Sequence, residues 1–271
     1  MDKSTLSCPV CGGSRQLAFT SQVLNKYDVA YWHCAGCGLL QTESPYWLDE
    51  AYSDAIAVVD TGLVMRNLAL ASRLAVLLYL DFEPKGTYLD VAGGYGMLVR
   101  LMRDYGFDYY WDDKYCQNLL ARGFSVDQAE QPFVALTAFE VLEHVHDPLA
   151  FIQEKLDQHN CRTLILTTEL YEGDAPPAVD WWYYLFNTGQ HVSFYQRKTL
   201  ERLAGRLGLN FHSVNGLHIF TDRSLRISFL QRLLMGRLAP LMGAFIRHRL
   251  GSRTLTDHFM LKGKTEGRSE G

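Results

Sequence analysis

Short apolar runs bounded by glycine, proline and acidic residues alternate along this chain with stretches whose apolar positions recur every three or four residues. That alternation predicts an α/β fold built on a largely parallel sheet. A helix is expected over Leu63–Leu80, dense in Leu, Ala and Val and ended by Pro84 and Gly86. A buried strand follows at Tyr88–Val91, and a helix opens at Met97 with Leu98, Leu101, Met102 and Tyr105 on one face. Further strands are predicted at Tyr109–Trp111, Phe133–Ala138 and Thr163–Thr168. Asp147 and Pro148 form an N-cap and first helical position ahead of a stripe on Leu149, Ile152 and Leu156. A helix on Leu200, Leu203, Ala204 and Leu207 stops at Gly208. The last part is expected to pair a strand from Leu209 to Val214, extendable to Phe220, with a final strand at Thr256–Lys262.

The first strand–helix junction carries the chemistry. It reads Asp90-Val91-Ala92-Gly93-Gly94-Tyr95-Gly96. Glycines let a ligand approach the backbone, and a helix N-terminus presents unpaired N–H groups. A carboxylate in the first turn is unwelcome beside a pyrophosphate, so Asp90 suits a cationic or neutral ligand. Sixteen residues after Gly96 the second strand ends at Asp112-Asp113. In a doubly wound sheet a carboxylate there takes the ribose hydroxyls of an adenosine, the role expected of Asp112; for Asp113 a capping role competes.

At the N-terminus Cys8-Pro9-Val10-Cys11 and Cys34-Ala35-Gly36-Cys37 are separated by 22 residues. Gly12 and Gly38 follow each pair and permit the tight turn that aims two thiolates at one ion. Four thiolates favour tetrahedral, coordinatively closed Zn²⁺ of structural character. The strands between, Leu17–Thr20 and Val29–Trp32, would form a zinc-ribbon hairpin.

Composition narrows the setting. The 271 residues are 48% hydrophobic and 21% charged, with a formal charge of −4. That balance offers nothing to a nucleic-acid partner. Six cysteines behind a polar start point to a reducing compartment, read as the cytoplasm, and no run of some 18 uninterrupted apolar residues is present. Residues 223–256 depart from the average, with seven arginines and no acidic residue among many apolar positions, split by Pro240 into two expected helices. Such a basic apolar insert suits a dimer interface, the inner membrane face, or a phosphorylated or lipid-linked substrate.

The spacing Asp90-x-Ala92-x-Gly94-x-Gly96 resembles motif I of the class I S-adenosylmethionine (SAM) methyltransferases, with Ala92 standing for the first glycine. The run Phe139-Glu140-Val141-Leu142-Glu143-His144 is similar to the loop after the fourth strand in ubiquinone-type O-methyltransferases. Together they cover Tyr88–Thr168. The resemblance implies a Rossmann-like class I methyltransferase sheet with helices on both faces. It implies SAM contacts at Asp90, Ala92, Gly93, Gly94, Gly96, Asp112, Asp113, Phe139 and Glu140, with Glu143 and His144 bordering the transferred methyl.

The Gly189-Gln190-His191-Val192-Ser193-Phe194-Tyr195 segment is similar to a histidine-containing stretch of sugar C-methyltransferases that also carry a four-cysteine module. Gln190 replaces their acidic residue, and their long C-terminal domain has no counterpart here. The Trp181-Trp182-Tyr183-Tyr184 and Gly-Gln-His blocks resemble methyltransferases of bacterial surface-polysaccharide clusters more closely. A hydroxyl acceptor on a sugar is therefore expected, with His191 as general base and Trp182, Tyr183, Gln190 and Tyr195 against the acceptor. Glu140-x-x-Glu143-His144 with a distant His191 is also similar to the metal site of small-RNA 2′-O-methyltransferases, which would make these four residues ligands of a divalent ion. A third expectation is a zinc adaptor whose SAM fold has lost activity. The chain reads as a zinc ribbon over 1–43, a linker and helical cap over 44–86, a methyltransferase domain over 87–264 with its insert at 222–254, and a disordered tail over 265–271.

Overall fold

Zinc-knuckle spacing and strand alternation shape the first elements of the computed structural model, which describes residues 6–52, 60–130 and 132–266. Strands β1 (Leu6–Ser7), β2 (Ser14–Val23), β3 (Tyr27–His33) and β4 (Leu40–Thr42) are followed by a short helix α1 (Leu48–Ala51) and a long one, α2 (Leu63–Asp81). Next come β5 (Thr87–Val91), α3 (Met97–Asp104), β6 (Asp108–Asp112), β7 (Phe133–Phe139), α4 (Pro148–Gln158) and β8 (Thr163–Thr167). The chain continues through β9 (Ser193–Phe194), α5 (Arg197–Arg206), β10 (Asn210–Val214) and β11 (Leu217–Thr221). It ends with helices α6 (Phe229–Met235), α7 (Ala239–Leu250) and α8 (Thr254–Glu266). The expected mixed α/β fold with helix-flanked strands is thus present.

Two compact units share these elements. The first comprises Met1–Val58, Ala138–Gln158 and Leu164–Ser224; the second comprises Val59–Thr137, His159–Thr163 and Leu225–Gly271. In the first unit the expected ribbon hairpin is longer than its apolar core, with Leu17 opposite Trp32 and Phe19 opposite Tyr31 across a bulge. It does not close on itself. β4 pairs with β9, Leu40 opposite Phe194 and Gln41 opposite Ser193, so the cysteine segment and the Gln-His-Val-Ser segment share one sheet, ordered β1-β2-β3-β4-β9. An aromatic core forms beneath it from Tyr31, Trp47, Tyr171, Tyr183, Tyr184 and Phe194. Trp47 of the linker is packing: it is buried and its Nε1 donates to the Gly189 carbonyl at 2.8 Å. Linker residues 53–59 lie outside the described residues.

In the second unit β5 lies between β6 and β7, parallel to both, Asp90 being opposite Trp111 and Thr137. Leu70, Leu74, Leu77 and Leu78 of α2 are buried there. Contrary to the expectation drawn from uninterrupted apolar runs, α2 is long and apolar enough to cross a membrane by length and composition, and 44% of that stretch is buried in the fold.

The C-terminal region corrects the sequence reading. Thr256–Lys262 is not a strand but part of α8, which also takes in the start of the tail expected to be disordered, up to Glu266. The closing antiparallel pair is β10 with β11, Val214 opposite Leu217. Asn215 and Gly216 both have positive φ (50° and 83°), as a two-residue type I′ hairpin requires. That Asn-Gly signal divides the run expected to continue to Phe220 and leaves no pairing role for residues 256–262. Pro240 does not separate the two insert helices; it sits in the first turn of α7, where a missing N–H costs no hydrogen bond. Residues 267–271 of the tail lie outside the described residues.

Candidate active site

The glycine loop belongs to the second unit. Ala92 (φ 63°), Gly94 (φ 53°) and Gly96 (φ 86°) are all left-handed, the first of them in spite of its methyl group. Gly93 is required by packing, since a Cβ there would come within 2.9 Å of both Asp90 Oδ2 and Trp111 Cδ1. At Gly94, in contrast, a Cβ would meet nothing within 4 Å, so the backbone is open to a ligand on that side. Trp111 Nε1 donates to the Gly94 carbonyl at 2.8 Å, tying the loop to the end of β6.

Asp90 is buried beneath this loop. Thr137 Oγ1 donates to its Oδ1 at 2.6 Å and is itself a partner of the Tyr109 hydroxyl at 3.1 Å. Burial, with the nearby Asp113 adding to it, pushes the Asp90 carboxyl up to about 7 against the opposing Thr137 hydrogen bond. Of the acidic pair, Asp113 turns inward: its Oδ2 accepts from the Gly94 amide at 2.8 Å and its Oδ1 from the amides of Tyr115 and Cys116. It caps a turn, the competing role, though no helix begins there. Asp112 is half-buried with His159 Nε2 3.7 Å from its Oδ2. Thr137 and Trp111 are site residues beyond those expected from sequence, and the lone threonine inside the apolar run of β7 is the signal that marks one of them.

Ala92 supports a direct prediction. A β-carbon in the left-handed region costs about 1–2 kcal/mol, partly offset by the greater unfolded-state entropy of glycine. Ala92→Gly is expected to stabilise the fold by about 0.5–1 kcal/mol, read as a higher urea midpoint with unchanged slope. A lower midpoint would show that the Ala92 methyl contributes packing.

The second cluster is contained in the first unit. The turn Leu142–His144 is held against the segment around β9 by three hydrogen bonds: Val192 N–H to the Glu143 carbonyl (2.8 Å), Ser193 Oγ to the Val145 carbonyl (2.8 Å) and the Tyr195 hydroxyl to the Leu142 carbonyl (2.8 Å). Gln41 Nε2 of β4 reinforces this clamp by donating to Ser193 Oγ and the His146 carbonyl. The result places His191 beside His144, their rings 4.9 Å apart and T-shaped. Nδ1 of each histidine faces a carbonyl, Gln190 at 3.1 Å for His144 and Tyr183 at 2.7 Å for His191. A carbonyl only accepts, so Nδ1 of each ring carries a proton, and in a neutral imidazole so held Nε2 has the lone pair.

Glu143, His144 and His191 form a close donor set, with one ligand atom of each within 4.8 Å of the others. Glu143 is buried and its Oε2 has no hydrogen-bond partner among the described residues. Burial, with Glu140 nearby, pushes its carboxyl up to about 8, and burial pushes the His144 imidazole down to about 4. Glu140 stands outside this donor set: its backbone is left-handed (φ 54°) and Thr167 Oγ1 donates to its Oε1 at 2.7 Å. The four-ligand arrangement is therefore corrected to three, because the strained turn after β7 aims Glu140 at β8.

The expected acceptor residues separate. Tyr195 is fully buried with its hydroxyl on Leu142, so it is a structural clamp and not a stacking surface. Gln190 Nε2 is engaged by the Ala51 carbonyl at 2.9 Å. Tyr183 is buried edge-on to His191 at 4.5 Å. Only Trp182, 66% exposed, offers an open ring. Tyr52, which the sequence reading placed in the linker, lies 6.1 Å from His144.

Near the N-terminus the four cysteines also form one cluster, all Sγ atoms within 4.8 Å of one another. Cys8–Cys37 and Cys11–Cys34 are 3.6 and 3.5 Å apart, close to the ~3.8 Å of sulfurs on a tetrahedral Zn²⁺ with Zn–S near 2.3 Å. Gly12 and Gly38 share φ 74°, and each donates its amide to the first cysteine carbonyl of its knuckle. Helix α5 holds both knuckles, through Thr199 to the Cys37 carbonyl and Arg206 to the Pro9 carbonyl.

Comparison with known proteins agrees with this architecture. A family model described as a methyltransferase domain matches residues 65–214, and the chain belongs to that family. No curated protein sequence matches it. Among solved structures the chain is similar to TnmH, at 20% identity, 66% of this chain, 62% of that one and TM-score 0.46. It is also similar to magnesium protoporphyrin IX methyltransferase from Synechocystis PCC 6803 with bound SAH (15% identity, 64% and 90% coverage, TM-score 0.41). Human N-acetylserotonin methyltransferase in complex with SAM matches at 14% identity, with 66% of each chain covered and TM-score 0.43. The chain thus spans less than two thirds of TnmH.

Proposed function

We propose that this protein transfers a methyl group from SAM to a hydroxyl of a sugar, in a bacterial glycan or its activated precursor, with His191 as general base. The observation that carries the proposal is the His191 ring beside His144, its Nδ1 proton committed to the Tyr183 carbonyl, which makes Nε2 the basic nitrogen of the neutral form. The open Gly94 backbone and the buried Asp90 carboxyl support a nucleoside-bearing, cationic donor on the second unit's loop. When bound, SAM supplies an electrophilic methyl on sulfonium, so the chain needs no nucleophile of its own. His191 Nε2 would accept the proton of the acceptor hydroxyl. Trp182 supplies an exposed ring on which a sugar face stacks. The cysteine cluster would hold Zn²⁺ as a closed, structural site that fixes the hairpin and, through β4 and β9, the histidine segment.

A second reading is favoured by one observation. The unpartnered Oε2 of buried Glu143, together with two imidazole nitrogens in reach, is a three-ligand set for a divalent ion that would hold acceptor hydroxyls directly. Native mass spectrometry with metal analysis separates the two. One zinc per chain together with SAM binding on titration is the expected result; a second divalent ion that disappears in Glu143→Gln would establish the metal-dependent reading. Zinc without SAM binding would leave a zinc adaptor.

A further inference from the structure

Exposed apolar side chains gather in one part of the second unit. Phe229 and Leu230 on α6 are 83% and 61% exposed, and Leu241 and Phe245 on α7 are 70% and 47% exposed. Two contacts bring both helices to the C-terminal end of α2: Gln231 Nε2 donates to Asp81 Oδ1 at 2.9 Å, and the Phe245 ring lies 6.4 Å from Tyr79. The charge carried by the segment itself is of one sign. Residues 223–256 hold seven arginines and no carboxylate, and Arg226, Arg237, Arg247 and Arg249 are exposed. The next acidic residue, Asp257, is buried against Arg100 and Arg103 and does not neutralise this surface.

We propose that the α6–α7 face docks on an anionic lipid bilayer, its phenylalanines and leucines entering the headgroup region and its arginines meeting lipid phosphates. Apolar groups in the plane of the surface with flanking cations are what a peripheral membrane contact requires. The two helices pass for one span by composition only when joined across an 87° bend, and with 7 and 12 residues each alone is short of the ~20 needed; the exposed arginines along both favour the bilayer surface. Charge also separates this occupant from a second copy. A two-fold interface would set the patch against itself and bring like charges together, with no carboxylate in the stretch to pair them.

The test is flotation of the full chain with phosphatidylcholine vesicles, with and without phosphatidylglycerol, at low and high salt. The expected result is partition into the phosphatidylglycerol vesicles at least about tenfold above the neutral ones, weakened by salt. The surface variants Arg226→Glu/Arg237→Glu and Phe229→Ser/Leu241→Ser should each reduce it by about tenfold or more with unchanged circular dichroism. Equal partition into both vesicle types, or none, overturns the proposal. So does a dimer by light scattering that Phe229→Ser/Leu241→Ser converts to monomer while vesicle partition is unaffected.

Discussion

His191→Ala is expected to lower kcat by about 10²–10⁴, the contribution of a positioned general base, while the Kd for SAM stays within about threefold of the parent value. The loss follows from the Nε2 lone pair, since the Tyr183 carbonyl already takes Nδ1–H at 2.7 Å and fixes the tautomer. Affinity should persist because the loop from Asp90 to Gly96 is held by its own contacts, the Gly94 amide on Asp113 Oδ2 and the Gly94 carbonyl on Trp111 Nε1. Steady-state kinetics and calorimetric SAM titration on the same preparation check both parts. Loss of SAM binding would refute the base assignment. His191→Gln distinguishes chemistry from packing: it can still donate to the Tyr183 carbonyl, so it should restore stability and not turnover. If the metal-dependent reading holds, His191→Ala also releases the second ion, which the base reading does not predict.

Asp257→Ala is expected to destabilise the protein by about 3–5 kcal/mol, the usual cost of stripping one partner from a buried ion pair. Asp257 receives Arg103 Nε on Oδ2 and Nη2 on Oδ1, both at 2.8 Å, and Arg100 Nη2 on Oδ2 at 2.7 Å. Arg103 is 2% exposed, and its guanidinium sits 3.6 Å over the Phe124 ring. Without Asp257 it keeps Asp108 and the Tyr109 carbonyl, both reached by Nη1, and Nε and Nη2 lose their acceptor. Urea unfolding measures the loss. A cost below about 1 kcal/mol would mean the network behaves as an exposed pair.

The same network sets an acid limit. Burial alone would raise the Asp257 carboxyl, but hydrogen bonds from Arg103 and Arg100 outweigh it and hold the group below the ordinary 3.8. A depressed folded value makes the contribution complete above the unfolded value and lost as pH falls through the folded one. The difference between parent and Asp257→Ala should therefore shrink below about pH 4.

Local chemistry was legible where neighbours in sequence are neighbours in space. Cys8-x-x-Cys11-Gly12 and Cys34-x-x-Cys37-Gly38 each close a turn by themselves, and the strand–loop–helix from Tyr88 to Tyr105 needs only its own backbone conformations. The glycine spacing, the acidic pair after β6 and the Asp147 cap, whose Oδ1 accepts from Ala150 N–H at 3.0 Å, all belong to this kind. Asn215-Gly216 is equally local, a turn signal set inside an apolar run that by itself reads as one strand.

What the tertiary structure decided is pairing across distance. Nothing near His191 in sequence tells that β9 joins β4, or that Val192 and Tyr195 clamp the Leu142–His144 turn, yet these bonds create the Glu143–His144–His191 donor set. They also turned Tyr195 from a candidate stacking residue into a buried strut, because a ring that is apolar enough to stack on a sugar is apolar enough to fill a core. The final segment shows the same physics. Its alternation of polar and apolar residues fits a strand or a helix, and β10 with β11 had already supplied the antiparallel pair. Asp257, 154 residues from Arg103, then anchors residues 254–266 as a helix, since only the folded chain puts a buried guanidinium beside that carboxylate.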